Sequence, residues 1–300
     1  MKRDRPTYEG RPLARPDEEV VDQGLGFDLA TLASRRQILR AFGLGATVLG
    51  LAACSTNGSP SATGTATSTS GEIPDETAGP YPGDGSNGPD VLQQSGIVRS
   101  DIRKSFATAG GTAQGVPMTL ELTVTDMAGG NKPFAGAAVY VWHCDREGRY
   151  SLYSDGVQDQ NYLRGVQIAD SAGNVRFTSI FPACYSGRWP HIHFEVYPDQ
   201  ASITDATKAI ATSQVALPKD TCATVYKQSG YEQSVQNLSQ VSLTSDNVFG
   251  DDGGVRQIPT VTGDSSSGYS VALDVGVDTS TTPTGGSMGG GPGGGAPPGR

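Results

Sequence analysis

From Pro190 the chain runs His191-Ile192-His193-Phe194-Glu195-Val196-Tyr197, and no other stretch constrains the fold as tightly. A short run of aromatic and β-branched residues with a proline at its mouth reads as a strand. Strand side chains alternate faces, so His191 and His193 point one way and Ile192 the other. Two imidazoles on one rigid face make half of a metal site, and the sequence has only three histidines. Such a pair also occurs as a half-buried polar pair without metal. If a metal is bound, its other ligands lie elsewhere. The candidates are His143 for a three-histidine zinc site, a carboxylate for a two-histidine iron site, or tyrosine. Tyr185, just before the pair, and Tyr150, one strand earlier, stand out.

The ends of the chain set the limits of the folded part. A formal charge of -9 and a pI near 4.8 leave no basic footprint for nucleic acid. Ser34-Arg35-Arg36-Gln37-Ile38-Leu39-Arg40 precedes an uncharged stretch from Ala41 to Ala53, short for a membrane span but right for a signal-peptide core. The arginine pair resembles a twin-arginine export signal, and Leu51-Ala52-Ala53-Cys54 resembles a lipobox. An ordinary cleavable signal peptide is the alternative. The order of arginines, apolar run and cysteine favours a lipoprotein lipidated at Cys54, on the outer face of the cytoplasmic membrane. Residues 1–54 are thus read as a signal region and 55–73 as a Ser/Thr/Gly-rich linker. Residues 74–277 are read as one folded domain, and 278–300 as a Gly/Pro-rich tail expected to be disordered.

Within the domain, strand-like runs recur at Met118–Thr125, Ala138–His143, Val175–Ile180, His191–Val196, Ile210–Leu217 and Tyr269–Val275. Gly129-Gly130-Asn131 and Asp170-Ser171-Ala172-Gly173-Asn174 are turns. Helical periodicity is scarce, with one short helix expected over Cys222–Gln228. The expected fold is all-β, an antiparallel β-sandwich with long active-site loops.

Several pieces in this order carry a family resemblance: Thr77-Ala78-Gly79-Pro80-Tyr81, Val139-Tyr140-Val141-Trp142, Gly148-Arg149-Tyr150, Asp170-Ser171-Ala172-Gly173-Asn174, Pro182-Ala183-Cys184-Tyr185, Arg188 with His191-Ile192-His193-Phe194, and Thr212-Ser213-Gln214. Together they resemble the core of the intradiol ring-cleaving dioxygenases. The resemblance implies a non-haem Fe(III) held by Tyr150, Tyr185, His191 and His193. Phenolates are hard anionic donors that favour the ferric state. It further implies that a catecholic substrate displaces Tyr185, which helps take up a proton, and that O2 opens the ring between its two hydroxyls. Arg188 would stabilise negative charge on the ring. Gln214 and Tyr81 would line the pocket, although each also reads as an ordinary packed or solvated residue.

Other residues keep plainer readings. Tyr153 rivals Tyr150 from the same loop. His143 reads as a satisfied core histidine, and Trp142 and Trp189 as packing or pocket walls. Three cysteines follow Cys54, enough for one disulfide and one thiol in an exported protein. If the 191–196 strand pairs antiparallel with 210–217 so that His193 faces Gln214, that register carried onward brings Cys184 near Cys222. A Cys184–Cys222 bridge is therefore expected, with Cys144 buried and free. Residues 72–115 lack the long helix of the catechol 1,2-dioxygenase dimer, and a homo-oligomer stays compatible with the sequence. A prealbumin-like binding module and a zinc hydrolase are the competing functions. The first needs no histidine–tyrosine set, and the second would be colourless.

Overall fold

The computed structural model describes residues 71–284, together with Thr7–Tyr8 and Arg11–Pro12. Those two pairs form a short antiparallel ladder, β1 (Thr7–Tyr8) and β2 (Arg11–Pro12), in a unit of its own. The arginine pair, Cys54, most of the linker and the end of the tail lie outside the described residues. Among the described residues no helix is long and apolar enough to cross a membrane.

Two sheets form the sandwich. In the first, β3 (Pro117–Asp126) pairs antiparallel with β7 (Asn174–Ile180) and with the short β4 (Lys132–Pro133). Its other neighbour is β11 (Gly268–Val277), which runs parallel to it and closes an antiparallel ladder with β10 (Thr260–Asp264). The pattern of β3 is the strand period itself: Met118, Leu120, Leu122 and Val124 face the core while alternate residues face outward. The second sheet has the order β6 (Arg164–Ile168), β5 (Ala138–Trp142), β8 (His191–Tyr197), β9 (Ala211–Ala216), all antiparallel.

The second sheet is buried on both faces. Every residue of β5, β8 and β9 is buried. Ile192, Phe194 and Val196 join Val139, Val141, Leu120 and Phe177 between the sheets. Each such side chain contributes roughly 1.5–3 kcal/mol by leaving water. The opposite face carries Tyr140, Trp142 and Tyr197, covered by Ala78, Val91, Leu92, Ile97 and Tyr150 from the segments that flank the sheet. The histidines lie on this covered outer face.

The six strands expected from sequence are present, each within two residues of its expected bounds at either end. Two longer strands were not expected. β6 contains a buried arginine and a glycine, and β10 is a mostly exposed ladder strand, so neither shows an apolar strand pattern. The expected helix over Cys222–Gln228 starts earlier, as α1 (Lys219–Val225), with Pro218 at the N-cap position and its carbonyl accepting from Cys222 N at 3.0 Å. A second helix, α2 (Glu232–Ser239), buries Ser234 and Asn237 beside Leu238, a polar face that hydropathy does not reveal. Ile73 is also part of the core, donating its N–H to Gly276 O at 2.8 Å, so the domain begins before Pro74.

The Cys184–Cys222 bridge is not formed: Cys144, Cys184 and Cys222 are all buried free thiols. The expected register is there, with His193 opposite Gln214, but the ladder ends at the pair His191 and Ala216. Beyond it the chain turns into α1, and Cys184 Sγ lies 3.5 Å from Arg188 O.

Gly173 has φ +81°, and a Cβ there would collide with Val124 O. Gly130 has φ +84° with open space around it. Gly130→Ala should lower stability by about 1–2 kcal/mol from backbone strain alone. Gly173→Ala should cost roughly 1–2 kcal/mol more, and urea midpoints of the two variants measure the difference.

Candidate metal centre

β8 supplies two donors directly, because its odd positions share a face. His191 Nε2 and His193 Nε2 lie 3.1 Å apart. Tyr185 reaches the same point from the loop before β8, its hydroxyl 3.2 Å from His191 Nε2. Tyr150 comes from the loop between β5 and β6, its hydroxyl 3.4 Å from the same nitrogen. Asp145 shapes that loop by accepting the backbone N–H groups of Glu147 and Arg149, each at 3.0 Å. Gly148, at φ +87°, leaves only 3.2 Å between a would-be Cβ and Tyr185 Cβ, so the two tyrosine loops meet at a glycine.

Hydrogen bonding alone leaves this cluster badly satisfied. His191 Nδ1 lies 2.5 Å from Trp189 O, and a carbonyl only accepts, so the ring proton is on Nδ1 and Nε2 has a bare lone pair. Both phenols and His193 Nε2 crowd that one lone pair. His193 Nδ1 is buried with no partner at all. A cation placed among the four would give each donor atom a use. Among the described residues no three His, Cys, Asp or Glu side chains converge as a metal site, so a metal here must recruit the tyrosine oxygens. His143 is not available, since its nitrogens lie 2.8 Å from Cys144 O and Ser179 Oγ. Two phenols and two imidazoles are a hard, oxygen-rich set that fits a ferric ion.

Without a cation the donors are neutral. Burial, helped by the Arg188 charge, lowers His191 to about 3, and burial holds His193 well below the usual imidazole range. Burial raises Tyr185 to about 12 against the opposing charge of Arg188, and raises Tyr150 well above the ordinary phenol.

The rivalry between Tyr150 and Tyr153 is resolved by geometry. The Tyr153 hydroxyl donates to Asn87 Oδ1 at 2.7 Å and accepts from Gly83 N at 2.8 Å, away from the histidines. Tyr81 packs on both rings, 4.9 Å from Tyr150 and 5.2 Å from Tyr153 between centroids, at the partly exposed mouth. Trp142 stacks on His193 at 4.8 Å and 6°. Arg188 donates to Gln214 Oε1 at 2.7 Å, and Gln214 donates to Thr77 O at 3.0 Å.

Three contributors were not singled out from sequence. Gly79 lies in a quoted motif, but only the fold shows that a Cβ there would sit 3.3 Å from His193 Cε1. Arg164, 1% exposed, donates to Pro82 O, Tyr81 O, Tyr140 Oη and both Ser151 oxygens, fixing the strap that carries Gly79 and Tyr81. Asp246 binds Arg188 from 58 residues away. A groove of about 760 Å³ lined by Glu121, Arg176 and Asp274 holds none of these residues.

A family model described as Dioxygenase matches residues 87–202. Catechol 1,2-dioxygenase of Pseudomonas sp. (strain EST1001) is 42% identical over 71 residues, 24% of this chain and 22% of that protein. Chlorocatechol 1,2-dioxygenase of Rhodococcus opacus is 38% identical over 63 residues, 21% of this chain and 24% of that protein. The chain thus matches less than a quarter of the length of these curated relatives. In fold it is similar to the intradiol ring-cleavage dioxygenase from Tetranychus urticae, with a TM-score of 0.57 at 23% identity over 71% of this chain and 98% of that one.

Because burial raises both phenols, metal-free protein should show no phenolate from Tyr150 or Tyr185 at pH 7. A colourless trivalent ion such as gallium(III) should ionise both at that pH. Ultraviolet difference absorption reads this directly, and Tyr150→Phe should halve the band.

Proposed function

The chain belongs to the intradiol ring-cleavage dioxygenase family, and we propose that it opens a catechol-type ring between its two hydroxyls. The products would be a muconate-type diacid carrying both atoms of O2. The observation that supports this reading is the convergence of Tyr150, Tyr185, His191 and His193 on one point, with no carboxylate among them. A ferric ion held there would supply Lewis acidity toward the two substrate oxygens.

The protein's own part follows from its residues. Tyr150 is 1% exposed and wedged beside Tyr81, which suits a permanent ligand. Tyr185 is partly exposed, next to the exposed Ser186 and Gly187, which suits the ligand that yields to substrate. If it were released, its oxygen would favour the neutral form at pH 7, as an ordinary phenol titrates at about 10. Tyr185 Oη is then where a proton from a substrate hydroxyl comes to rest. Arg188, its side chain 13% exposed, brings a fixed positive charge to the same side, and its field opposes the upward shift of Tyr185. That charge suits an electron-rich catecholate ring and the negative charge that builds as it reacts with O2. Tyr81 walls the mouth against the ring face.

We also propose export with lipidation at Cys54, supported by the arginine pair, apolar run and cysteine in sequence. In cells that process lipoproteins, Cys54→Ala should move the protein from the membrane fraction to the medium or soluble fraction.

The direct test is the visible spectrum of iron-loaded protein before and after anaerobic catechol. Tyrosinate-to-iron charge transfer should colour it red-brown, and catechol should shift the band. Tyr153→Phe should keep the colour and Tyr150→Phe should lose about half of it. A protein that binds no iron and stays colourless overturns the reading.

A further inference from the structure

We propose that Asp246 is a positioning residue that holds the substrate-facing Arg188 and the metal-facing His191 together. Its catalytic consequence rests on the ferric dioxygenase reading. Asp246 lies in the irregular chain after α2, with its side chain 0% exposed. Its Oδ2 accepts from Arg188 Nε at 2.9 Å and from Trp189 N at 2.7 Å. Its Oδ1 accepts from Val248 N at 2.8 Å and Phe249 N at 3.1 Å, with Arg188 Nη2 at 3.4 Å. One carboxylate thus ties a guanidinium, the peptide that enters β8, and its own loop.

The Trp189 backbone extends the reach of this clamp through two successive peptides, one on each side of its Cα. Its N–H is held by Asp246, and its carbonyl accepts from His191 Nδ1 at 2.5 Å. That second bond fixes the imidazole tautomer and points the Nε2 lone pair at the other donors. Arg188 is gripped on its two edges, by Asp246 at Nε and by Gln214 at Nη2. Without Asp246 the guanidinium keeps a single side-chain partner, and the residue whose carbonyl orients His191 loses its anchor one peptide upstream. The negative charge of Asp246 opposes an electron-rich ring, so its contribution to the reaction is placement. Placement is worth having, because a charge acts on a transition state only from a fixed position.

The test compares iron-loaded full-length protein as wild type, Asp246→Asn, Arg188→Ala and the double variant. Asparagine keeps the shape but has one acceptor oxygen and turns an NH2 toward N–H donors. If Asp246 acts through Arg188, Asp246→Asn lowers kcat about tenfold to a hundredfold with a smaller change in KM. In the Arg188→Ala background the same change then costs less than about threefold. An equal loss in both backgrounds, with the iron content and the charge-transfer band of Asp246→Asn unchanged, overturns the proposal, since then neither Arg188 nor His191 responds to the change. A second measurement needs neither a variant nor activity. In metal-free wild type the Arg188 Nε–H proton should give an exchange-protected nuclear magnetic resonance signal; an unprotected one overturns the clamp. If the wild type cleaves no catechol, the functional reading fails while this signal still decides the clamp.

Discussion

A strand buried on both faces can carry polar side chains only where each is answered, and β8 carries four of them in a row of odd positions. The even face, Ile192, Phe194 and Val196, locks the strand into the sandwich core, so the odd face cannot turn away. Glu195 is answered by the Tyr197 hydroxyl at 2.8 Å, and its burial, with Asp84 nearby, raises its carboxyl to about 8. Apart from the Trp189 carbonyl on His191 Nδ1, His191 and His193 are answered only by each other and by two phenols. The core therefore delivers two under-satisfied imidazoles to a fixed place. A cation placed there would relieve that fixed shortage.

Covering the odd face is the task of chain with little apolar content. The strap from Ala78 to Asp90 is mostly glycine, proline and short polar residues. It cannot be held by hydrophobic burial alone, and Arg164 does the rest. A buried guanidinium offers five N–H groups in one plane, and here its five hydrogen bonds all go to neutral oxygens. Two of those oxygens belong to the strap, at Tyr81 and Pro82, on either side of the peptide that sets the Tyr81 ring. A lysine at 164 would supply the charge without the planar fork. Glycine at 79 then lets the strap touch His193 without a Cβ in the way.

The legible parts of the sequence are those where one local period carries the meaning. Strand alternation in β3 and β8 predicts which residues face the core, and the His193–Gln214 register follows from pairing two such strands. The four donors were readable because they fall in short motifs beside strands. Arg164, Asp246, Ser234 and Asn237 were not, since each acts on backbone far away in sequence. Their patterns look like surface chemistry: an Arg-Gly pair, a Ser-Asp-Asn turn, a polar helix. The disulfide expectation failed for a related reason. A register is a property of a ladder, and it says nothing of where the chain goes once the ladder stops at Ala216.

The two tyrosines, alike in chemistry, are held to different degrees. Tyr150 is buried, with its own N–H bonded to Ser154 Oγ at 2.9 Å and its ring beside Tyr81. Upstream of Tyr185, α2 grips Cys184 by both backbone groups: Ser234 Oγ accepts the N–H at 3.0 Å and Asn237 Nδ2 donates to the carbonyl at 2.7 Å. Downstream come exposed Ser186 and Gly187, the latter at φ +82°, before Arg188 is clamped again. Tyr185 is thus partly exposed at a bend between neighbours held on both sides. On the proposed reading, a site that admits a bidentate catechol needs one ligand of this kind, and Tyr185, three residues before Arg188, would be that ligand.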